Sequence, residues 1–250
     1  MIYLRVLFEG EAHWAVQEGD FARLLRTAPY EVLDYDGRLV PLSQCKLLAP
    51  AQPTKIVCVG KNYRDHAMEM GGFVPQQPIL FLKGPNTLNH PDCPISAPDF
   101  VTRLDYECEL AFVVKKRAKN VRAEDFADYV LGYTCLNDVT ARDIQSFDGQ
   151  WTRAKSMDGF CPVGPVLTDE VDPSNLTVTT RLNGVVKQQG NTCDFLHPMG
   201  DLFAFITASM TLEAGDLVTT GTPAGIGPME KGDVVEVEVE NIGILRNFVE

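Results

Sequence analysis

The chain has 250 residues, of which 45% are hydrophobic and 22% charged, a balance that excludes disordered, collagenous and low-complexity classes. Its 22 Lys and Arg against 34 Asp and Glu give a formal charge of −12, the wrong sign for a nucleic-acid or anionic-membrane partner. Seven Cys occur without a Cys-x-x-Cys pair and mostly in apolar company, which reads as reduced core thiols of a cytoplasmic protein.

Ile2, Leu4, Val6 and Phe8 alternate as one face of a strand does, and Arg5 and Glu9 interrupt the apolar stretch, so the segment reads as a strand rather than a signal peptide. No uncharged apolar run approaches the ~18 residues of a membrane helix. Gly10 turns the chain into a second strand over residues 13–16, and Asp20 predicts a capped short helix over 21–26. Segments 32–35 and 38–42 flank Asp36-Gly37, a hairpin signal. The stretch Ala49-Pro50-Ala51-Gln52-Pro53 breaks regular structure and marks a boundary. A small β-rich module (1–52) therefore precedes the main domain (53–250).

The main domain opens with a strand at 55–59, then a helical segment over 61–70 between Gly60 and Gly71-Gly72, then a strand at 79–83. Residues 84–99 read as a long loop, 106–115 as a strand, 123–127 as a helix and 129–136 as a strand. Later strands are expected at 166–167, 177–182, 216–219 and 234–240, with an Asn183-Gly184 hairpin turn and a helix over 199–210. Strands outnumber helices and do not alternate with them, which points to α+β with a mixed, rolled sheet.

Glu107 and Glu109 stand two apart in the strand pattern Asp105-Tyr106-Glu107-Cys108-Glu109, so they share a face. Two adjacent carboxylates are tolerable on a solvated face or around a cation. Asp138, at the end of the apolar strand 129–136, adds a third acid, while Cys108 points to the other face and no His is nearby in sequence. That set suits a hard divalent cation such as Mg2+, Mn2+ or Ca2+. Arg142 and Lys155 follow; they read as surface cations or, beside a metal, as groups that bind a substrate carboxylate or stabilise an oxyanion. His66 and Glu69 lie three apart, on one face of a helix, where a carboxylate orients an imidazole as a general base requires. The alternative there is a surface ion pair. Gly221-Thr222-Pro223-Ala224-Gly225-Ile226-Gly227 matches no nucleotide-binding pattern; it is a tight turn or a loop whose Thr222 hydroxyl binds a carboxylate.

Together these stretches resemble the fumarylacetoacetate hydrolase family. The motifs are Val59-Gly60-Lys61-Asn62-Tyr63-Arg64-Asp65-His66-Ala67-Met68-Glu69, Tyr106-Glu107-Cys108-Glu109-Leu110, Leu136-Asn137-Asp138-Val139-Thr140-Ala141-Arg142-Asp143, and Thr220 through Gly227. They run in the family's order from about Lys55 to the C-terminus. The resemblance implies a mixed β-roll of the family's C-terminal domain type, a homodimer, and one Mg2+ or Mn2+ held by Glu107, Glu109 and Asp138. It implies Lys155 as the cation beside the metal and Arg142, Gln145 and Thr222 as substrate contacts. His66 and Glu69 look like the lid dyad of the acylpyruvase and oxaloacetate decarboxylase-like branch. The expected substrate is a small anionic keto acid. The expected reaction is cleavage of the carbon–carbon bond of a 2,4-diketo acid through a pyruvate enolate, with oxaloacetate decarboxylation as a related activity. Isomerisation of a 2-hydroxyhepta-2,4-diene-1,7-dioate-type diacid, oxaloacetate tautomerisation and a non-catalytic binding role are the alternatives.

Overall fold

The computed structural model describes residues 1–30 and 32–250. Five strands open the chain: β1 (Ile2–Phe8), β2 (Glu11–Glu18), β3 (Phe21–Leu25), β4 (Tyr35–Pro41) and β5 (Lys46–Leu48). The segment expected as a helix after Asp20 is thus a strand. Its Ala22 and Leu24 are fully buried against Leu4, Val6 and Ala15, and this period-two burial overrides the local capping signal. Nor does Asp36-Gly37 form a hairpin. Arg23 stands opposite Leu39 and Leu25 opposite Tyr35, so the intervening residues bulge out of one continuous strand. Gly37 takes a φ of +95° there, and the Asp36 carboxylate accepts the Arg38 amide at 2.7 Å.

The remaining chain forms β6 (Ile56–Gly60), α1 (Arg64–Glu69), β7 (Ile79–Lys83), β8 (Leu88–Asn89), β9 (Pro94–Ile95), β10 (Leu104–Tyr106), β11 (Cys108–Val114), β12 (Val130–Asn137) and β13 (Thr140–Ala141). There follow α2 (Arg142–Asp148), α3 (Thr152–Lys155), β14 (Cys161–Thr168), β15 (Thr177–Leu182), β16 (Val185–Asn191), α4 (Met199–Ser209), β17 (Leu217–Thr219), β18 (Gly227–Met229), β19 (Val234–Val239) and β20 (Gly243–Val249). The stretch expected as a helix at 123–127 is a 3-10 turn over Ala123–Tyr129. The strand expected over 106–115 is interrupted at Glu107, which separates β10 from β11.

The fold is α+β, dominated by a 12-stranded mixed sheet of order β4-β3-β2-β1-β14-β12-β11-β17-β6-β7, with β5 and β8 attached to β1 and β14. β1 pairs with β14 through Ile2↔Thr168 and Tyr3↔Leu167, so the N-terminal strands continue the sheet built by the rest of the chain. Smaller sheets run β13-β10-β18 and β16-β15-β19-β20-β9. β11 lies centrally, buried throughout. Leu110 and Phe112 enter one core with Val178, Phe203, Ile206 and Val237, while Ala111 and Val113 enter a second with Ile56, Cys58, Leu136 and Val163. Burial on both faces explains why Leu110 to Val114 reads as an unbroken apolar run. The seven cysteines are free thiols. Among the described residues no helix is long and apolar enough to cross a membrane.

Candidate active site

The site gathers where β11 and β12 meet at one end. Cys108 pairs with Asn137 across the ladder, and the Asp138 amide then donates to the Glu107 carbonyl at 2.9 Å. The Glu107 amide donates in turn to the Asn137 side-chain oxygen at 2.9 Å. This exchange pins the two chain ends together and sets Glu107, Glu109 and Asp138 around one point. One carboxylate oxygen from each lies within 4.8 Å of the others, and all three residues are buried.

Cations from three elements close on the cluster. Lys155, the last residue of α3, donates to Glu107 Oε2 at 2.8 Å and to Asp138 Oδ2 at 2.6 Å. Lys83, the last residue of β7, pairs with Asp138 Oδ1 and donates to the Val139 carbonyl at 3.1 Å. Arg142, which opens α2, pairs with Glu107 and reaches Asp105 Oδ2 at 2.9 Å and Gln145 Oε1 at 2.5 Å. Glu109 alone has no basic side chain: its Oε2 accepts the Gly221 amide at 2.8 Å.

The charges follow from this wiring. Burial works against an ionised Glu107, but Lys155 and Arg142 outweigh it and hold the carboxyl well below the usual range. Burial likewise opposes the charge of Lys155, which Asp138 and Glu107 nonetheless keep raised. Glu109 goes the other way. Burial, with Asp138 and Glu107 adding like charge, pushes its carboxyl well above the ordinary value.

Above the cluster, His66 Nδ1 lies 3.0 Å from Glu69 Oε2 on α1. The other Glu69 oxygen accepts the Gly225 amide at 3.1 Å, which ties α1 to the glycine-rich turn. Thr222 in that turn accepts a hydrogen bond from Gln188 at 2.8 Å, and Gln188 also accepts the Cys108 amide at 3.0 Å. His66, Arg142, Gln145, Lys155, Thr222 and the three acids line one cavity, with Lys61, Met70, Phe81 and Trp151 along its walls. Its free space is about 20 Å3, room for one water or ion.

The sequence profile of the fumarylacetoacetate (FAA) hydrolase C-terminal family matches residues 55–250, and a second profile, Rv2993c-like, N-terminal, matches residues 1–50. The chain belongs to the fumarylacetoacetate hydrolase family. A protein of Archaeoglobus fulgidus is 53% identical over 219 residues, covering 87% of both chains. A Bacillus subtilis relative named oxaloacetate tautomerase YisK is 42% identical over 223 residues, 83% of this chain and 74% of its own. The solved structure of a 2-hydroxyhepta-2,4-diene-1,7-dioate isomerase from Mycobacterium marinum superposes with a TM-score of 0.93 at 42% identity, covering 100% of this chain and 98% of that one.

In this family member eight of the nine residues singled out from sequence line the same cavity; the ninth, Glu69, reaches it through His66. The sequence reading missed several others. Lys83 is fully buried and holds Asp138, yet a single Lys closing Ile79-Leu80-Phe81-Leu82 gives no sign of a partner so far along the chain. Asp105, also fully buried, is held between Arg103 and Arg142. Gln188 braces Thr222 from a strand that carries no motif. The cluster also fits a divalent cation on its own terms. Asp105, Glu107 and Asp138 are each paired with Lys or Arg side chains, whereas Glu109 has no such partner, and an uncompensated buried carboxylate costs several kcal/mol. A hard cation among the three carboxylates would remove that cost.

Proposed function

We propose that the chain catalyses proton transfer beside the keto group of small anionic 2-keto acids. It would interconvert keto and enol forms of oxaloacetate-type substrates, with Mg2+ or Mn2+ held by Glu107, Glu109 and Asp138. The observation that carries the reading is the His66–Glu69 pair at 3.0 Å, set over a buried three-carboxylate cluster in the same cavity. The names of the Bacillus and Mycobacterium relatives support it. When bound, the cation supplies Lewis-acid polarisation of the keto oxygen and a template for the neighbouring carboxylate. The chain's own residues do the rest. Glu69 fixes the His66 ring through Nδ1 and leaves the second ring nitrogen to carry the proton. His66 takes a proton from the carbon beside the keto group, and the electron pair moves towards the keto oxygen. Lys155 and Arg142 line the same cavity and favour the charge that develops there. Return of a proton to oxygen gives the enol, and the reverse sequence gives the keto form.

Hydrolysis of a 2,4-diketo acid is the second reading, favoured by the same His66–Glu69 pair, since an oriented imidazole can deprotonate a water as well as a carbon acid. His66 would then deprotonate that water for attack on the distal carbonyl, and the carbon–carbon bond would break to a carboxylate and pyruvate enolate. One substrate panel separates the readings: enol-oxaloacetate ketonisation, acetylpyruvate cleavage, carbon dioxide release from oxaloacetate, and isomerisation of a hydroxymuconate-type diacid, each with Mg2+ and with EDTA. Mg2+-dependent ketonisation faster than every other reaction is the expected result. Cleavage without ketonisation moves the assignment to hydrolysis, and inactivity throughout removes both readings.

A further inference from the structure

Arg142, Lys155 and Lys61 are the Lys and Arg side chains on the cavity wall, and they are not equivalent. Lys155 is committed to Glu107 and Asp138. Arg142 is ion-paired with both Asp105 and Glu107 and donates a third hydrogen bond to Gln145. Lys61 has one partner, the Met70 carbonyl at 2.9 Å, and no ion pair with a carboxylate among the described residues. It follows Gly60, where the Trp151 ring packs so closely that a Cβ on Gly60 would come within 2.7 Å of it. Lys61 itself adopts a φ of +57°, a left-handed conformation that a non-glycine side chain rarely takes without constraint from its surroundings. That turn sets the ammonium at the cavity edge beside α1.

We infer that Lys61 receives the second carboxylate of the substrate and makes the cavity selective for 2-keto diacids over 2-keto monocarboxylates. The inference rests on the keto-acid reading above and deepens it. A 2-keto diacid brings two negative charges into a cavity already lined by three acids. Its keto-carboxylate end has the cation site to go to. Its other end requires a positive group not already paired, and Lys61 alone on the wall answers. The exchange is favourable in kind, because a neutral carbonyl acceptor is replaced by a carboxylate, the stronger partner for an ammonium. It also releases Met70, another wall residue, as the ligand enters.

The test is calorimetric binding to the Mg2+-loaded full chain of two unreacted probes matched in length, 2-oxoglutarate and 2-oxopentanoate, which differ by one carboxylate. The wild type is expected to bind 2-oxoglutarate about 10- to 100-fold more tightly, the scale of a hydrogen bond to a charged group. Lys61→Met should bring that ratio close to one while leaving 2-oxopentanoate affinity within a few-fold, and Lys61→Arg should restore the preference. A wild type without preference, or a Lys61→Met variant that retains it, overturns the inference. So does an equal weakening of both probes, which is what a merely structural tie to Met70 would produce. Because these readouts need no turnover, an inactive enzyme with an intact binding preference would remove the proposed reaction and leave this assignment standing.

Discussion

Lys83 and Lys155 hold Asp138 by separate oxygens, Lys83 on Oδ1 and Lys155 on Oδ2, and all three side chains are almost wholly buried. The two lysines arrive from the ends of β7 and α3, so a single carboxylate joins a sheet edge to a short helix. Each oxygen keeps a further lone pair, so the same clamp that steadies Asp138 leaves it able to ligate a cation.

Asp138→Ala should therefore do two things at once. It removes a ligand of the proposed cation, and it leaves two buried ammonium groups without their shared partner. Loss of one side of a buried ion pair costs about 3–5 kcal/mol. We expect no Mn2+ binding by calorimetry and a lowered urea midpoint with EDTA present. Lys83→Met should lower the midpoint too, yet retain Mn2+ binding, since all three carboxylates persist. A Lys83→Met variant as stable as the wild type would show that the clamp contributes nothing to the fold.

Glu109 predicts an opposite sign. Its carboxyl is raised by burial and by its acidic neighbours, so the metal-free fold holds that proton more tightly than the unfolded chain does. A raised acid contributes stability fully present below the unfolded value near 4.5 and lost as pH rises through the higher folded value. Glu109→Gln, neutral at every pH, should thus be more stable than the wild type in EDTA at pH 8 and less sensitive to rising pH. It should at the same time lose the stabilisation that Mn2+ gives the wild type. Thermal unfolding across pH 5–8, with EDTA and with Mn2+, reads both effects. A variant less stable than the wild type in EDTA at pH 8 would show that Glu109 is not the unbalanced charge.

The acids were legible because two of them share a strand pattern and the third ends an apolar strand, and local sequence carries both facts. The His66–Glu69 pair was legible for the same reason, being an i,i+3 contact. Lys83 was not, because its partner lies 55 residues away and one Lys at a strand end sets up no periodicity. The commitment of Arg142 to Asp105 and Glu107 was equally hidden; sequence offered a surface cation or a substrate contact, and the structure ties two of its nitrogens to these carboxylates. In the N-terminal strands, Asp20 and Asp36-Gly37 sent true local signals that the burial of Ala22 and Leu24 and the pairing with β3 overrode.

His66→Ala should reduce Mg2+-dependent turnover by ~10²-fold or more, the scale of a general base, while Mn2+ affinity stays within a few-fold because His66 is not among the three acids. Glu69→Gln should cost less, since the ring survives and only its orientation and basicity suffer. Steady-state rates beside Mn2+ titrations separate the effects. Unchanged turnover in His66→Ala would take the proton-transfer role away from the pair.

Gly221 tests the support beneath Glu109. Its φ is +95°, and an added Cβ would sit 2.8 Å from Asn62 Cβ and 3.3 Å from the Val59 carbonyl. Asn62 has little room to retreat, because its side chain donates to the Thr220 carbonyl at 2.8 Å and accepts the His197 amide at 2.9 Å. Gly221→Ala must therefore shift the turn, with backbone strain of about 1–3 kcal/mol. The shift carries the Gly221 amide away from Glu109, a backbone hydrogen bond that helps to orient this carboxylate. We expect a lower melting temperature together with Mn2+ affinity reduced by about 10-fold, the size of one hydrogen bond to a charged group. Mn2+ titration of the folded variant at low temperature separates the two effects: wild-type affinity there would mean that the amide does not position Glu109.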